Sequence, residues 1–463
     1  MRIQELIGIA REYFMLVMVA IVFLGIVFVF GYFIVYKKLF KGKKRIRPQQ
    51  LLIGGLLVGY VVMVIGVTFL NRGGSYPGRI DLTLFSSYKE AWYRFGVRHW
   101  QFVILNIVMF VPFGFLLPLW QKRFRRATFT IGAALLFTLS IETFQLLTGY
   151  GMFEADDLFN NLLGAVIGYG MVMGLLTVKS KGVKKLLIYF SPLLATCMAF
   201  GVIFTCYHFK EFGNLAIVPV HKADMRQAAI SLEVKLNDKE IVMPVYNAPS
   251  YTNAEADNFV KRFFENLDLD TTNMEIIDYP EVGIYWLRSD RSHNIWFDYL
   301  DGSYQYTDFS SHDEGKEPID TDEETLKENL TAFGIVIPGE AEFRKLDVGT
   351  YEWVMNMRET GDQLVNGSLT AVFYNDQTIK SIENHLVTYE KVRDVQMKSE
   401  KDAYNEVLVG GFLQAMDDRQ IENVKIDHVE TGYYLDSKGF YQPIYVFHGA
   451  VNGMERTIDI PGI

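Results

Sequence analysis

Several side chains able to do acid–base or hydrogen-bonding chemistry lie inside, or at the ends of, long apolar segments. They are Asn106, Glu142, Gln145, Asp156, Asp157 and Asn161. Amide and carboxyl groups are costly in hydrocarbon, so such residues normally face other protein groups or water. Gln145 follows Glu142 by three residues and Asn161 follows Asp157 by four, so each pair lies on one helix face. The pattern predicts a polar layer within a bundle of apolar helices.

Two kinds of chemistry fit these residues. The amides of Asn106, Gln145 and Asn161 can bond across helices as purely structural contacts, or they can form a ligand-binding layer. The carboxylates of Asp156 and Asp157 can cap a helix N-terminus, bind a cation, or serve as acid and base. Neither His nor Cys lies nearby, so we predict no metal site, assign no cofactor and name no catalytic residue.

The elements that must hold these residues are helices of transmembrane length. A helix needs about 20 apolar residues to cross the bilayer core. Segments that meet this length are Tyr13–Tyr36, Leu51–Leu70, Gln101–Trp120, Ala127–Thr148, Leu158–Val178 and Leu186–Tyr207. The sequence therefore predicts, for residues 1–207, an all-α polytopic membrane domain of six transmembrane helices with lipid as its immediate partner.

The orientation of these helices follows from their connections. Residues 37–47, 122–126 and 179–185 are rich in Lys and Arg, and basic connections stay in the cytoplasm. The N-terminus and everything after Tyr207 are then predicted to be extracellular. At about 1.5 Å per residue, Asn106 and Glu142 lie roughly 8–9 Å below the outer helix ends, and Asn161 lies about 6 Å below Asp157. Three helices thus bring polar groups to one level near the outer leaflet.

Charge divides the chain at the end of the apolar segments. Residues 1–207 carry 22 Lys and Arg against 8 Asp and Glu, whereas residues 208–463 carry 23 against 46. An acidic domain repels a phosphate backbone, so nucleic-acid binding is not expected. The second part is predicted to be soluble and to meet an extracellular partner.

The acidic part has the pattern of an α+β fold. Thr252 and Glu255 form a capping box, and Asn452-Gly453 and Asp301-Gly302 are hairpin turns. Strands are predicted at Gly283–Arg288, Asn294–Leu300, Ser303–Thr307, Leu369–Tyr374, Ile379–Tyr389, Val424–His428, Gly432–Leu435, Ile444–Ala450 and Met454–Ile460. We interpret this part as tandem helix-on-antiparallel-sheet units: a connector at 208–245, one or more units at 246–395 and a C-terminal unit at 396–463.

Four stretches of the membrane part carry a family resemblance: DLTLF at 81–85, NIVMFVPFGFLLP at 106–118, SIETFQLLTG at 140–149 and DDLFNNLLGAVIGY at 156–169. Together they resemble the VanZ-like family over about residues 76–178. The resemblance implies that the following residues occupy the family's motif positions: Asn106, Pro112, Gly114, Glu142, Gln145, Asp157, Asn161 and Gly164. Pro112 and Gly114 are also expected to kink their helix. The chain departs from the family at Leu84, where relatives carry proline.

The resemblance implies a bacterial cell-envelope protein, with a possible connection to tolerance of glycopeptide antibiotics, teicoplanin especially. Residues 402–463 are, in addition, similar to YycH/YycI-type extracytoplasmic regulatory domains. Our leading hypothesis is an outer-leaflet polar site for a lipid-linked or cell-wall ligand. One alternative is a membrane-anchored regulatory or sensory protein that contacts another envelope protein through its extracellular domain. Another alternative is an intramembrane enzyme using Glu142 and Asp157.

Overall fold

The computed structural model describes residues 48–70, 79–288, 292–414 and 420–463. Within these ranges the chain divides into two compact units, which separate after Lys210. The first unit consists mainly of long apolar helices. The second, from Glu211 onward, is rich in β-structure. Each unit is described by itself.

The first unit contains five helices long and apolar enough to cross a membrane among the described residues. The predicted first span, Tyr13–Tyr36, lies outside those residues, so the predicted number of six is not established. The helices of this unit are α1 (Pro48–Ile65, continued by a π-helix at Gly66–Leu70), the short α2 (Ser86–Arg94), α3 (Val97–Trp120), α4 (Ala127–Thr148), α5 (Ala155–Ser180) and α6 (Gly182–Phe209).

Helices α3 and α5 approach each other closely because glycine lines their contact. A Cβ atom on Gly164 would lie 1.9 Å from the carbonyl oxygen of Ile107, and one on Gly114 would lie 2.0 Å from that of Ala165. Gly168 repeats this pattern one turn further along α5, against Val111. Small residues of this kind let helix backbones pack in a membrane, where no hydrophobic effect drives them together.

A break in the backbone separates α5 from α6. Gly182 has φ 72° and ψ 175°, which is not helical, and glycine is the residue that adopts such a positive φ without strain. Lys179, Lys184 and Lys185 flank it in the sequence. Helix α6 turns back along α5, where Gly170 meets the backbone of Tyr189.

The second unit is built on one large sheet. Its strands are β3 (Ala229–Leu232), β4 (Ile241–Asn247), β5 (Glu275–Asp278), β6 (Val282–Arg288), β7 (Ser292–Asp298), β8 (Tyr304–Asp308), β9 (Glu342–Asp347), β10 (Thr350–Thr360), β11 (Gln363–Phe373), β12 (Ile379–Asn384), β13 (Val387–Met397), β14 (Asn423–Leu435), β15 (Phe440–Val451) and β16 (Met454–Pro461). A separate short pair, β1 (Ile80–Asp81) and β2 (Phe153–Glu154), belongs to the first unit.

The strands of the large sheet follow the order β3-β14-β15-β4-β13-β11-β12-β8-β7-β6-β5. In addition, β16 pairs with β15, β10 pairs with β11, and β9 pairs with β10. The pairs are antiparallel except β3 with β14. The segment predicted as a connector, 208–245, contributes β3 and most of β4 to this sheet. Strand β4 bridges the sheet because it pairs with both β13 and β15.

Helices α7 (Asn253–Glu265), α8 (Glu323–Ala332) and α9 (Glu400–Leu408) cover two separate cores of the sheet. The first core lies under α7 and α8 and includes Phe263 and Trp353. The second lies under α9 and includes Val407 and Phe447. The order of helix followed by antiparallel strands therefore occurs three times along the chain, and the first two occurrences share one core.

Candidate functional site

The start of helix α5 holds a cluster of buried polar side chains. We call this cluster the polar hub and define it as Asp156, Asp157, Asn160 and Asn161. Asp156, Asn160 and Asn161 are each 2% exposed or less. The hub side chains point to three different neighbouring helices, so the hub connects most of the first unit.

Asp156 binds the N-terminus of the short helix α2. Its Oδ1 accepts a hydrogen bond from the backbone N–H of Phe85 at 2.5 Å. Its Oδ2 accepts from the backbone N–H of Ser87 at 2.8 Å and from the Ser87 hydroxyl at 2.6 Å. The Ser86 hydroxyl adds a longer bond of 3.2 Å. A carboxylate in this position satisfies N–H groups that a helix leaves unpaired and interacts favourably with the helix dipole.

Two further hub residues connect α5 to α3 and to α2. Asp157 Oδ1 accepts a hydrogen bond from the Asn106 amide at 2.5 Å. Asn160 Oδ1 accepts from the Tyr88 hydroxyl at 2.5 Å. The neighbouring carboxylates Asp156 and Asp157 therefore bond to different helices.

The fourth hub residue faces helix α4. Asn161 donates its amide N–H to the Thr138 hydroxyl at 2.8 Å. One turn further along α4, the Glu142 carboxylate accepts from the backbone N–H of Glu154 at 3.3 Å. Gln145 follows on the same face and is 1% exposed. This face of α4, from Thr138 to Gln145, together with Asn161 is the acceptor strip, and it runs for roughly 10 Å along the helix.

Two oxygens of the acceptor strip have unmet hydrogen-bonding capacity. Among the described residues, no donor lies within hydrogen-bonding distance of Gln145 Oε1 or Asn161 Oδ1. A buried acceptor without a donor costs about 1–3 kcal/mol, and such groups in folded proteins call for an explanation such as a bound molecule or water. The strip also carries the Glu142 carboxylate, so it is suited to a group rich in N–H or O–H donors.

The structure gives each sequence-predicted site residue a contact or a position. Asn106 and Asp157 meet each other, while Glu142, Gln145 and Asn161 lie along the α4–α5 contact. In the contacts named above, the Glu142 carboxylate accepts from the backbone of Glu154 and the Asp157 carboxylate accepts from Asn106. Pro112 lies inside α3, and Gly114 and Gly164 lie at the α3–α5 contact. Sequence reasoning did not single out Asn160, Thr138 or Tyr88; only the adjacency of Asn160 to Asn161 could have drawn attention to it.

A second buried polar cluster lies in the β-rich unit. Lys380, 1% exposed, donates from Nζ to Asp308 at 3.0 Å and to Ser310 at 2.9 Å, and it pairs with Asp376 at 3.0 Å. Burial alone would raise the pKa of Asp308, but the hydrogen bonds from Lys380 and Ser310 outweigh it, and the pKa lies below its usual value. The cluster is an ionic anchor of β8 and β12.

The β-rich unit also contains a cleft of about 1070 Å³. Helix α7 forms one wall, and the chain that follows α8, including residues 334–338, forms another. The floor consists of apolar side chains from β11 and the start of β13. This volume falls at the upper end of the range that small-molecule sites occupy.

Comparison with known proteins identifies part of the chain. The model of the VanZ/LLP1 family matches residues 57–177, and no curated protein matches the chain. Similar solved structures include an uncharacterised protein from Eubacterium rectale ATCC 33656, with a TM-score of 0.24, 10% identity and coverage of 50% of this chain and 86% of that chain. They also include the Bacillus megaterium YpeB C-terminal domain, with a TM-score of 0.21, 10% identity and coverage of 46% and 93%. The family match covers α3, α4, most of α5 and the whole polar hub. Residues 57–177 are therefore similar to this family and contain helices long and apolar enough to cross a membrane, and a β-rich domain follows them.

Proposed function

We propose that this VanZ-like protein binds the head group of a lipid-linked or other amphiphilic envelope molecule at its acceptor strip, and that it thereby alters tolerance to glycopeptides such as teicoplanin. The observation that carries the proposal is the pair of buried, unpartnered oxygens, Gln145 Oε1 and Asn161 Oδ1. Cell-wall precursors and their saccharide head groups are rich in amide and hydroxyl donors, which such acceptors require.

The proposed orientation places the strip near the outer leaflet. The basic 3-10 turn Lys122–Arg125 precedes α4, whereas the polar hub follows the other end of that helix. Basic connections stay in the cytoplasm, so the hub end is assigned to the extracellular side. The β-rich domain is assigned to the same side. A reporter fused after Lys210 tests this orientation, and a cytoplasmic signal would contradict it.

The site is tested with variants that separate binding from folding. Gln145→Met removes the unpartnered oxygen and keeps the side-chain length, so the fold should be as stable as before or more stable. Teicoplanin tolerance should nevertheless fall to that of cells lacking the protein. Glu142→Gln and Asn161→Leu should lower tolerance as well. Ser140→Ala is the matched control, because Ser140 lies on the exposed face of α4 and its hydroxyl donates to the carbonyl oxygen of Leu136 in the same helix.

These measurements are made at equal membrane protein levels. Tolerance that stays at the wild-type value in Gln145→Met cells would contradict a binding role for the strip. If deleting the protein leaves teicoplanin tolerance unchanged, the link to that antibiotic is wrong. Direct binding of a labelled lipid-linked saccharide to purified wild-type and Gln145→Met protein would then still test the ligand class.

A second candidate function is regulation through the β-rich domain, and the large cleft in that domain supports it. In this case the domain alone, tethered by an unrelated transmembrane helix, should retain binding to its envelope partner. Loss of partner binding in that chimera, with the domain still folded, would favour the membrane site.

A further inference from the structure

The cleft in the β-rich unit is lined by two chain segments that each contain backbone groups without a hydrogen bond among the described residues. The first is Ile335–Ile337, which follows α8 and belongs to no strand. Ile335 and Ile337 pack against the first core, while Val336 between them is 84% exposed. This alternation is typical of a half-buried strand. In the described part of the chain, neither Val336 nor Ile337 takes part in a backbone hydrogen bond.

The second segment lies where the sheet is interrupted. Strand β8 pairs with the chain up to Asn384, and β4 pairs with it from Glu390 onward. Within the described ranges, residues 385–389 thus have β11 on one side and no strand on the other. His385 and Lys391 bond towards β11, so by the alternation of an antiparallel ladder the backbone groups of Thr388 point to the open side. That open side is part of the cleft.

Unpaired backbone groups in extended segments are suited to another extended chain. A peptide that adds to such an edge gains a row of N–H to C=O bonds, and alternate side chains enter pockets. Here the lining offers Val365 and Leu386 to apolar side chains. A saccharide would not reproduce the repeat of about 3.3 Å per residue that an extended peptide chain has.

The charges around the cleft specify the kind of peptide. Among the described residues that line it, Glu255, Asp301 and Glu390 carry carboxylates, whereas one residue, Arg262, is a cation. The β-rich unit as a whole is acidic as well. Basic side chains are therefore favoured in the ligand, both for contact and for association rate.

From these observations we propose that the cleft binds an extended, basic and apolar peptide segment of another protein through the backbone groups of Val336, Ile337 and Thr388. This inference concerns a different unit from the acceptor strip and does not depend on the function proposed above. Residues 335–337 would act as an edge strand whose backbone groups bond to the bound peptide. Exposed apolar edges favour aggregation, so a bound peptide would also explain why an apolar segment lies there.

The test uses the full-length protein in lipid nanodiscs and a fluorescein-labelled hexapeptide of alternating Lys and Val, blocked at both ends. We expect saturable binding by fluorescence anisotropy, together with slowed amide hydrogen exchange at Val336, Ile337 and Thr388. The same peptide methylated on alternate backbone nitrogens should bind at least about fivefold more weakly, since each backbone hydrogen bond lost costs a factor of about two to ten. A peptide with Glu in place of Lys should also bind more weakly.

Two variants locate the interaction. Val336→Pro removes one backbone donor while replacing a side chain outside the core, and the extended Ile335 tolerates a following proline; the affinity should fall at least about fivefold. Val336→Thr, which keeps the N–H group, is the matched control and should bind like the wild type. Glu390→Lys should also weaken binding, by reversing one charge of the cleft.

Three results would overturn the proposal: no saturable binding of the Lys–Val peptide, equal affinity in the Val336→Pro and Val336→Thr proteins, or protection of the same amides by chitotetraose but not by the peptide. The last result would make the cleft a saccharide site.

Discussion

Replacing Gly164 by alanine is expected to destabilise the helical unit, although alanine is the better helix former. The Cβ of the new residue would lie 1.9 Å from the carbonyl oxygen of Ile107, whereas real Cβ atoms essentially never approach within 3.0 Å. The two backbones must therefore separate by about 1 Å. Gly132, on α4, provides the matched control, because nothing lies within 4 Å of the position its Cβ would take.

The two substitutions should have opposite signs. At Gly132 the gain in helix propensity, up to about 1 kcal/mol, meets no steric cost. At Gly164 the same gain is outweighed. Inserting a methyl group into a well-packed contact costs about 1–3 kcal/mol. If the helices move apart by about 0.5–1 Å instead, each separated atom pair loses about a quarter to a half of its dispersion energy. The variants should therefore differ by about 2–3 kcal/mol, and for a unit of this size about 2–4 °C in Tm accompanies each kcal/mol.

The assay is heating of detergent-solubilised full-length protein, followed by size-exclusion chromatography of the material that remains monodisperse. The monodisperse fraction of Gly164→Ala should disappear at a temperature several degrees lower than that of the wild type. The fraction of Gly132→Ala should disappear at the wild-type temperature or above it. Gly114→Ala, at the same contact, should behave like Gly164→Ala. If Gly164→Ala survives heating as well as Gly132→Ala, close packing of α3 on α5 is not what holds the unit together.

Further predictions concern charged groups in both units. Lys380→Met leaves the buried Asp308 carboxylate without its cation and should lower the free energy of unfolding by about 3–5 kcal/mol at neutral pH, and by less in acid, where Asp308 becomes protonated. Lys327→Met, on the exposed face of α8, should lower it by under about 1 kcal/mol. Hydrogen exchange of β8 and β12 measures both effects, and equal effects would rule out the ionic anchor. Burial, with nearby carboxylates, raises the pKa of Asp298 to about 6, so its folded form prefers the proton and stability falls as pH rises from about 4 to 6. Asp298→Asn should remove this dependence of stability on pH. Above pH 6, allowing for the partial exposure of the side chain, urea titrations should show a free energy of unfolding about 1 kcal/mol higher than in the wild type. An unchanged pH dependence would contradict the raised pKa of Asp298. Asp156→Ala should speed amide hydrogen exchange in α2, because the helix loses a cap that stabilises it by about 1–2 kcal/mol. Asp156→Asn should have a smaller effect. Unaltered exchange in Asp156→Ala would refute the capping role.

Much of the helical unit follows from apolar length alone. Ala127–Thr148 was predicted with the bounds that the helix has, and the other described spans differ by a few residues at their ends. Hydropathy is a sufficient signal here because a bilayer requires a continuous apolar helix. In the β-rich unit, the capping box of Thr252 and Glu255 is confirmed, as is the hairpin at Asn452-Gly453, where both residues have positive φ.

The sequence was less informative where partners are distant. The predicted strand Ile379–Tyr389 is wrong in its extent: the chain bends after Asn384 and forms β12 and β13, because it changes neighbours from β8 to β4. The predicted strands Val424–His428 and Gly432–Leu435 are one strand, β14, because β15 pairs along its whole length. Residues separated by more than 50 positions, such as Asn106 and Asp157, find each other only in the fold, and no local pattern specifies which carboxylate meets which amide.

The sharing of strand β4 between β13 and β15 has a practical consequence for dissecting the molecule. A fragment ending at residue 395 would remove β14 and β15 and shorten β13. Strand β3 would lose its neighbour β14, and one side of β4 would become an exposed strand edge, which favours aggregation. A fragment beginning at 396 would lack β3 and β4, which belong to the same surface. The part suited to expression by itself is thus the whole of Glu211–Ile463, even though its sequence suggests separable modules.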